Sequence, residues 1–154
     1  MTDNADLYEK LFYNLNTTGA VLSPFDSYQL IRGLKTLSLR MERSTTNAQE
    51  IVTFLEQSPA VKEVLYTGRG GMISFKVADE KRIPHILNTL KVFSFAESLG
   101  GVESLITYPT TQTHADIPAE VRHSYGLTDD LLRLSIGIED ARDLIEDLRQ
   151  ALEG

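Results

Sequence analysis

Two short stretches carry residue types suited to gripping a small charged molecule. The first is Ala96-Glu97-Ser98-Leu99-Gly100-Gly101, which follows the apolar, strand-like run 92–95. Paired glycines let the main chain turn sharply or approach a ligand closely. A polar corner after a strand presents side chains and N–H groups to a small molecule. The same residues also suit a plain tight turn in which Glu97 and Ser98 cap a helix. The second stretch is Leu132-Arg133-Leu134-Ser135-Ile136-Gly137. Its alternation puts Leu132, Leu134 and Ile136 on one face of a strand and Arg133 and Ser135 on the other. A strand-held arginine is a planar, permanently charged fork that matches a carboxylate or phosphate. An arginine on a solvated, salt-bridged sheet face has the same pattern.

Other candidates carry less. His114 and Asp116 lie close together in a polar loop, 109–117, that also holds Thr113. A catalytic or metal pair would need a third ligand, and neither HxxxH spacing nor such a ligand is near, so a metal site is not expected. Thr67-Gly68-Arg69-Gly70-Gly71 is glycine-rich but precedes a strand rather than a helix. It reads as a hairpin connection and not a phosphate loop.

The elements that position these residues follow from periodicity. Leu7, Leu11 and Leu15, with Tyr8 and Phe12 alongside, mark a helix over 4–15 whose broad apolar stripe needs something to pack on. Ser23 as N-cap, Pro24 at the first helical position and Asp26 three residues after Ser23 open a helix that runs to about residue 57, with Gly33 as a close-packing site or kink. About 34 residues at 1.5 Å each would span roughly 50 Å, long enough to bridge two bodies. Strands are expected at 61–66, 73–77, 92–95, 105–108 and around Arg133, and short helices at 80–90 and 118–125. At the end lies an amphipathic helix, 139–152, with Asp143, Glu146, Asp147 and Arg149 on its solvent face. Strands and helices in this mixture predict an α/β fold, an α+β two-layer sandwich of a mainly antiparallel sheet with helices packed on it.

The bulk numbers narrow the function classes. The chain has 154 residues, one domain or one plus a remnant. Fifteen basic and 22 acidic residues leave a net charge of −7, so no basic footprint suits nucleic acid or an anionic membrane surface. With no cysteine there are no disulfides, zinc thiolates or thiol nucleophiles, which fits a cytoplasmic protein. No apolar run approaches the ~20 residues of a membrane span.

Together these motifs resemble the transsulfuration (Cys/Met metabolism) family of pyridoxal-phosphate (PLP) enzymes, the cystathionine γ-synthase and cystathionine β-lyase relatives. The resemblance runs in order through Ser23-Pro24-Phe25, Arg32-Gly33-Leu34-Lys35-Thr36-Leu37, Ala96 to Leu105, Thr113-His114, and Leu132 to Asp140. It covers nearly the whole chain. It implies the small C-terminal domain of a fold-type-I, aspartate-aminotransferase-like PLP enzyme. Residues 1–22 would be a remnant of the large PLP domain, 23–58 a long bridging helix and 59–154 the C-terminal domain. Met1 would then lie inside a longer natural protein.

The resemblance also implies roles. Arg133 grips the substrate α-carboxylate, Ser98 helps hold it beside the cofactor-bearing lysine, Thr113 lines the same pocket, and Glu97 stands where substrate side chains enter. A glutamate there favours γ-replacement or γ-elimination over β-elimination. No catalytic residue is expected in this chain. None of Lys10, Lys35, Lys62, Lys76, Lys81 or Lys91 stands in the family's Ser-x-Thr-Lys setting, so the PLP lysine is expected upstream and the chain alone inactive. The expected partners are an amino-acid substrate and further copies of the enzyme, a homotetramer when full-length. The alternative is a stand-alone amino-acid-binding regulatory α+β domain, which would need no cofactor and would bury its first helix within the chain.

Overall fold

The computed structural model describes residues 2–154 and divides into two compact units, the first ending at Leu37 and the second comprising Ser38–Gly154. Met1, the expected interior start, lies outside the described residues. The first unit holds α1 (Ala5–Thr18) and α2 (Pro24–Leu34). Asn4 caps α1 by accepting the Leu7 N–H at 2.9 Å, and Ser23 caps α2 by accepting the Asp26 N–H at 3.1 Å. Neither helix buries a residue. Leu7, Leu11 and Phe12 are 47%, 52% and 54% exposed.

The helix expected to run unbroken from Ser23 to residue 57 is instead two. α3 (Leu37–Gln57) starts anew after a turn at Lys35 and Thr36. There the hydrogen bonds tighten from the α to the 3₁₀ pattern, Lys35 N–H to Arg32 O and Thr36 N–H to Gly33 O. Gly33 weakens the last turn of α2 entropically, and a short 3₁₀ segment within helix marks such a weak point.

The second unit is a five-stranded mixed sheet with helices on its apolar face. Its strands are β1 (Val61–Leu65), β2 (Met72–Val77), β3 (Ser94–Phe95), β4 (Leu105–Thr107) and β5 (Leu131–Ser135), in the order β1-β2-β5-β4-β3. The β1–β2, β2–β5 and β4–β5 pairs are antiparallel, and β3–β4 is parallel. The glycine-rich stretch 67–71 does join β1 to β2 as a hairpin. α4 (Ile83–Thr89) follows a 3₁₀ turn at Glu80–Arg82, α5 (Ala119–Ser124) lies in the long β4–β5 connection, and α6 (Ala141–Glu153) ends the chain.

The core forms where these elements' apolar periods coincide. Ile73, Phe75, Leu132, Leu134 and Ile106 line one face of the sheet, and Ala48, Ile51 and Leu55 of α3, Ile83 and Ile86 of α4, and Leu144, Leu148 and Leu152 of α6 belong to the same cluster. Most are below 2% exposed. Each fully buried aliphatic side chain contributes about 1.5–3 kcal/mol over its exposed state.

One side chain overturns its expected place. Asp147 of α6 is 4% exposed rather than solvated. Its carboxylate accepts the main-chain N–H groups of Lys91, Val92 and Phe93 at 2.8–3.1 Å. These bonds also explain why β3 begins only at Ser94, and not at 92: the preceding amides are taken by Asp147 instead of by a neighbouring strand.

Candidate functional site

Arg133 sits at the centre of the sheet's polar face. In the register it stands between Ser74 of β2 and Thr107 of β4, while Leu132 and Leu134 on either side of it point into the core at 0% exposure. The strand is therefore held from behind, and the guanidinium projects from a rigid base. Its Nη2 donates to Thr107 Oγ1 at 3.2 Å and to the Glu97 carbonyl at 3.3 Å.

The Ala96–Gly101 corner is tied to this strand at several points. The Gly100 N–H donates to Ser135 Oγ at 2.8 Å, and Thr107 Oγ1 donates to the Ala96 carbonyl at 2.8 Å. Gly100 has φ +76°, the left-handed region that a side chain would resist. Further along, Ser104 donates through its N–H (2.6 Å) and its hydroxyl (2.9 Å) to the Glu139 carboxylate, and its hydroxyl accepts the Gly137 N–H at 2.9 Å. Gly137 has no room for a side chain, because a Cβ there would collide with the Val102 carbonyl and lie 2.7 Å from the Glu103 carbonyl carbon. The corner is thus a fixed feature, with Glu97 and Ser98 exposed at its tip.

The four expected site residues are not all gathered. Arg133 meets Glu97, but through that residue's main-chain carbonyl and not its carboxylate. Ser98 follows in the same exposed turn. Thr113 is exposed on the separate 109–117 loop, and its hydroxyl bonds to His114 Nδ1 at 2.7 Å. Among the described residues, no three His, Asp or Glu side chains are grouped to hold a metal ion.

Thr107 and Ser135 bind the two stretches together, and periodicity alone hid Thr107. It is 1% exposed and ends a three-residue strand that is buried throughout, so no alternation marks it. Its signal was a lone hydroxyl inside the apolar run 105–108.

Beside Ser135 opens a cavity of about 300 Å³, walled by Met41, Met72, Leu99 and Ile138 and flanked by Arg40 and Arg69. Arg133 is not in its wall.

Fold and site together define an α/β unit that presents one fixed guanidinium beside an exposed, tethered turn. The chain belongs to the Cys/Met metabolism PLP-dependent enzymes, whose family pattern matches residues 1–153. It is 56% identical over 146 residues to the cystathionine γ-synthase/O-acetylhomoserine (thiol)-lyase of Bacillus subtilis, covering 95% of this chain and 39% of that protein. It is 54% identical to the cystathionine γ-synthase of Haemophilus influenzae, covering 95% of this chain and 40% of that protein. The solved cystathionine γ-lyase of Micromonospora echinospora superposes with a TM-score of 0.92 at 36% identity, over 98% of this chain and 44% of that one. The chain therefore spans about two fifths of the length of the curated relatives it matches.

Proposed function

We propose that this chain is the C-terminal, substrate-carboxylate-binding part of a PLP-dependent transsulfuration enzyme acting on cystathionine or homoserine esters, with γ-replacement or γ-elimination favoured. The observation that carries the reading is Arg133: a guanidinium on a central strand, held by Thr107 Oγ1 and the Glu97 carbonyl next to the exposed Ser98. Two parallel N–H···O bonds from such a fork fix a carboxylate in position and in plane. That orientation selects which bond at the substrate's Cα is aligned for cleavage. Ser98 assists at the carboxylate, and Glu97 and Thr113 border the entry of the substrate side chain.

The residues of this chain fit the substrate and not the cofactor. A Schiff-base lysine is one whose ammonium loses its proton readily, usually by burial. Five of the six lysines are exposed. Lys76, on the polar sheet face, is bound to Glu63 at 2.7 Å, and that hydrogen bond holds its pKa above the ordinary lysine value. The grip on the substrate, rather than chemistry at Cα, is what these residues contribute.

In this reading residues 1–22 belong with the large PLP domain, 23–58 bridge, and 59–154 form the small domain of a cytoplasmic, homotetrameric enzyme. The chain alone is inactive. The test is to co-express it with the remaining upstream portion of the Bacillus subtilis relative and to assay γ-replacement. Activity should appear in the pair, and Arg133→Lys should raise KM by about a hundredfold, as expected for loss of a bidentate carboxylate contact. Turnover in an assembled pair that is indifferent to Arg133 would refute the proposal.

A further inference from the structure

We propose that Thr107 is the positioning residue of the arginine grip: its single hydroxyl locks the Arg133 guanidinium and the Ala96–Ser98 turn into one arrangement. The inference rests on reading Arg133 as the carboxylate clamp. Thr107 stands directly opposite Arg133 in the β4–β5 register and is 1% exposed. A hydroxyl has one hydrogen to donate and lone pairs to accept with. Thr107 uses both, donating to the Ala96 carbonyl at 2.8 Å and accepting from Arg133 Nη2 at 3.2 Å. The same Nη2 reaches the Glu97 carbonyl at 3.3 Å. One oxygen therefore joins the strand that carries the clamp to the turn that carries Glu97 and Ser98.

The arrangement has a consequence for recognition. Both Arg133 contacts fall on Nη2, so strand and turn together hold the guanidinium by one nitrogen and set the plane in which it meets a carboxylate. Threonine is stiff about χ1, so the acceptor oxygen is set by the β4 backbone and the fork cannot turn without losing it. The residue at position 107 then governs the pose of the clamp without touching the substrate.

The experiment uses the 154-residue chain labelled with ¹⁵N. In the wild type the Thr107 hydroxyl proton should exchange slowly enough to be seen, with a cross-peak to Arg133; a fast-exchanging hydroxyl would overturn the proposal without any variant. In Thr107→Val the Arg133 Nε–H should become mobile by heteronuclear NOE, while the Ile106 and Leu134 amides keep their protection. Affinity for L-homoserine, read from the Arg133 Nε shift, should fall about tenfold, the size expected for one lost charge-assisted hydrogen bond. Thr107→Ser should restore both readings. An unchanged Arg133 NOE in Thr107→Val, or no recovery in Thr107→Ser, would refute the role. If the wild type shows no Arg133 shift with L-homoserine, the carboxylate reading fails, whereas the hydroxyl and NOE measurements still decide what Thr107 does.

Discussion

The Asp147 carboxylate accepts the Val92 N–H at 2.8 Å from 55 residues away in sequence. With the Lys91 and Phe93 amides on the same group, one α6 side chain fixes where β3 begins, and hence where the Glu97-Ser98 corner emerges. Asp147→Asn leaves a single acceptor oxygen and no charge for these donors. It should destabilise the chain by about 1–3 kcal/mol, the cost of leaving buried donors poorly satisfied. Urea unfolding with an unchanged m-value and faster exchange of the 91–93 amides would be the expected result. Equal stability of the two proteins would show that the clamp contributes nothing.

Gly137 sits where two segments meet, against Val102 and Glu103 and beside Glu139 of its own segment. Gly137→Ala must push backbone aside, and overpacking of this kind costs typically about 1–3 kcal/mol. The loss should be read by thermal unfolding. Release of the Ser104–Glu139 contacts should show as new exposure of the 98–104 loop to proteolysis.

The apolar stripes of α1 and α2 are exposed, with Phe25 at 67% and Leu11 at 52%. A double substitution, Leu11→Glu with Phe25→Glu, should leave the unfolding of the sheet unit within about 0.5 kcal/mol of wild type, as for surface sites generally. It should lower the binding of a hydrophobic dye such as ANS and weaken co-assembly with the upstream portion of the Bacillus subtilis relative. Undiminished co-assembly would place the docking surface elsewhere.

Asp140 caps α6 by accepting the Arg142 N–H at 2.9 Å, and its side chain also meets the Arg142 guanidinium. The hydrogen bond from the Arg142 side chain, then that from its backbone, holds the Asp140 carboxyl below its ordinary pKa. A depressed carboxylate stabilises the fold above its unfolded pKa, and that stabilisation is lost as pH falls through the lowered folded value. Wild type should therefore lose more stability than Asp140→Asn on acidification below the ordinary carboxylate range, with the two curves parallel at neutral pH. Parallel curves throughout would remove Asp140 from the acid response.

How much of this was legible from the residues depends on whether the information was local. The alternation in Leu132–Ile136 identified β5 and the face that bears Arg133, because a strand's period is a property of its own sequence. The 67–71 hairpin, the Ser23 cap and the amphipathic α6 were readable for the same reason, as was the family resemblance carried by the order of motifs. The break after α2 was foreshadowed only by Gly33. By contrast, Asp147 looked like any acid on a polar helix face. Thr107 was one hydroxyl in an apolar run. Those assignments were settled by partners 11 to 56 residues distant, Ala96 for Thr107 and Lys91 for Asp147. The sequence by itself determined where strands and helices lie, short of the break at Lys35 and Thr36 and the start of β3, and which residue carries the guanidinium. Only the tertiary structure decided which buried polar groups hold that guanidinium and its neighbouring turn in place, because a hydrogen bond across the fold depends on where two distant backbones meet and leaves no period in either one.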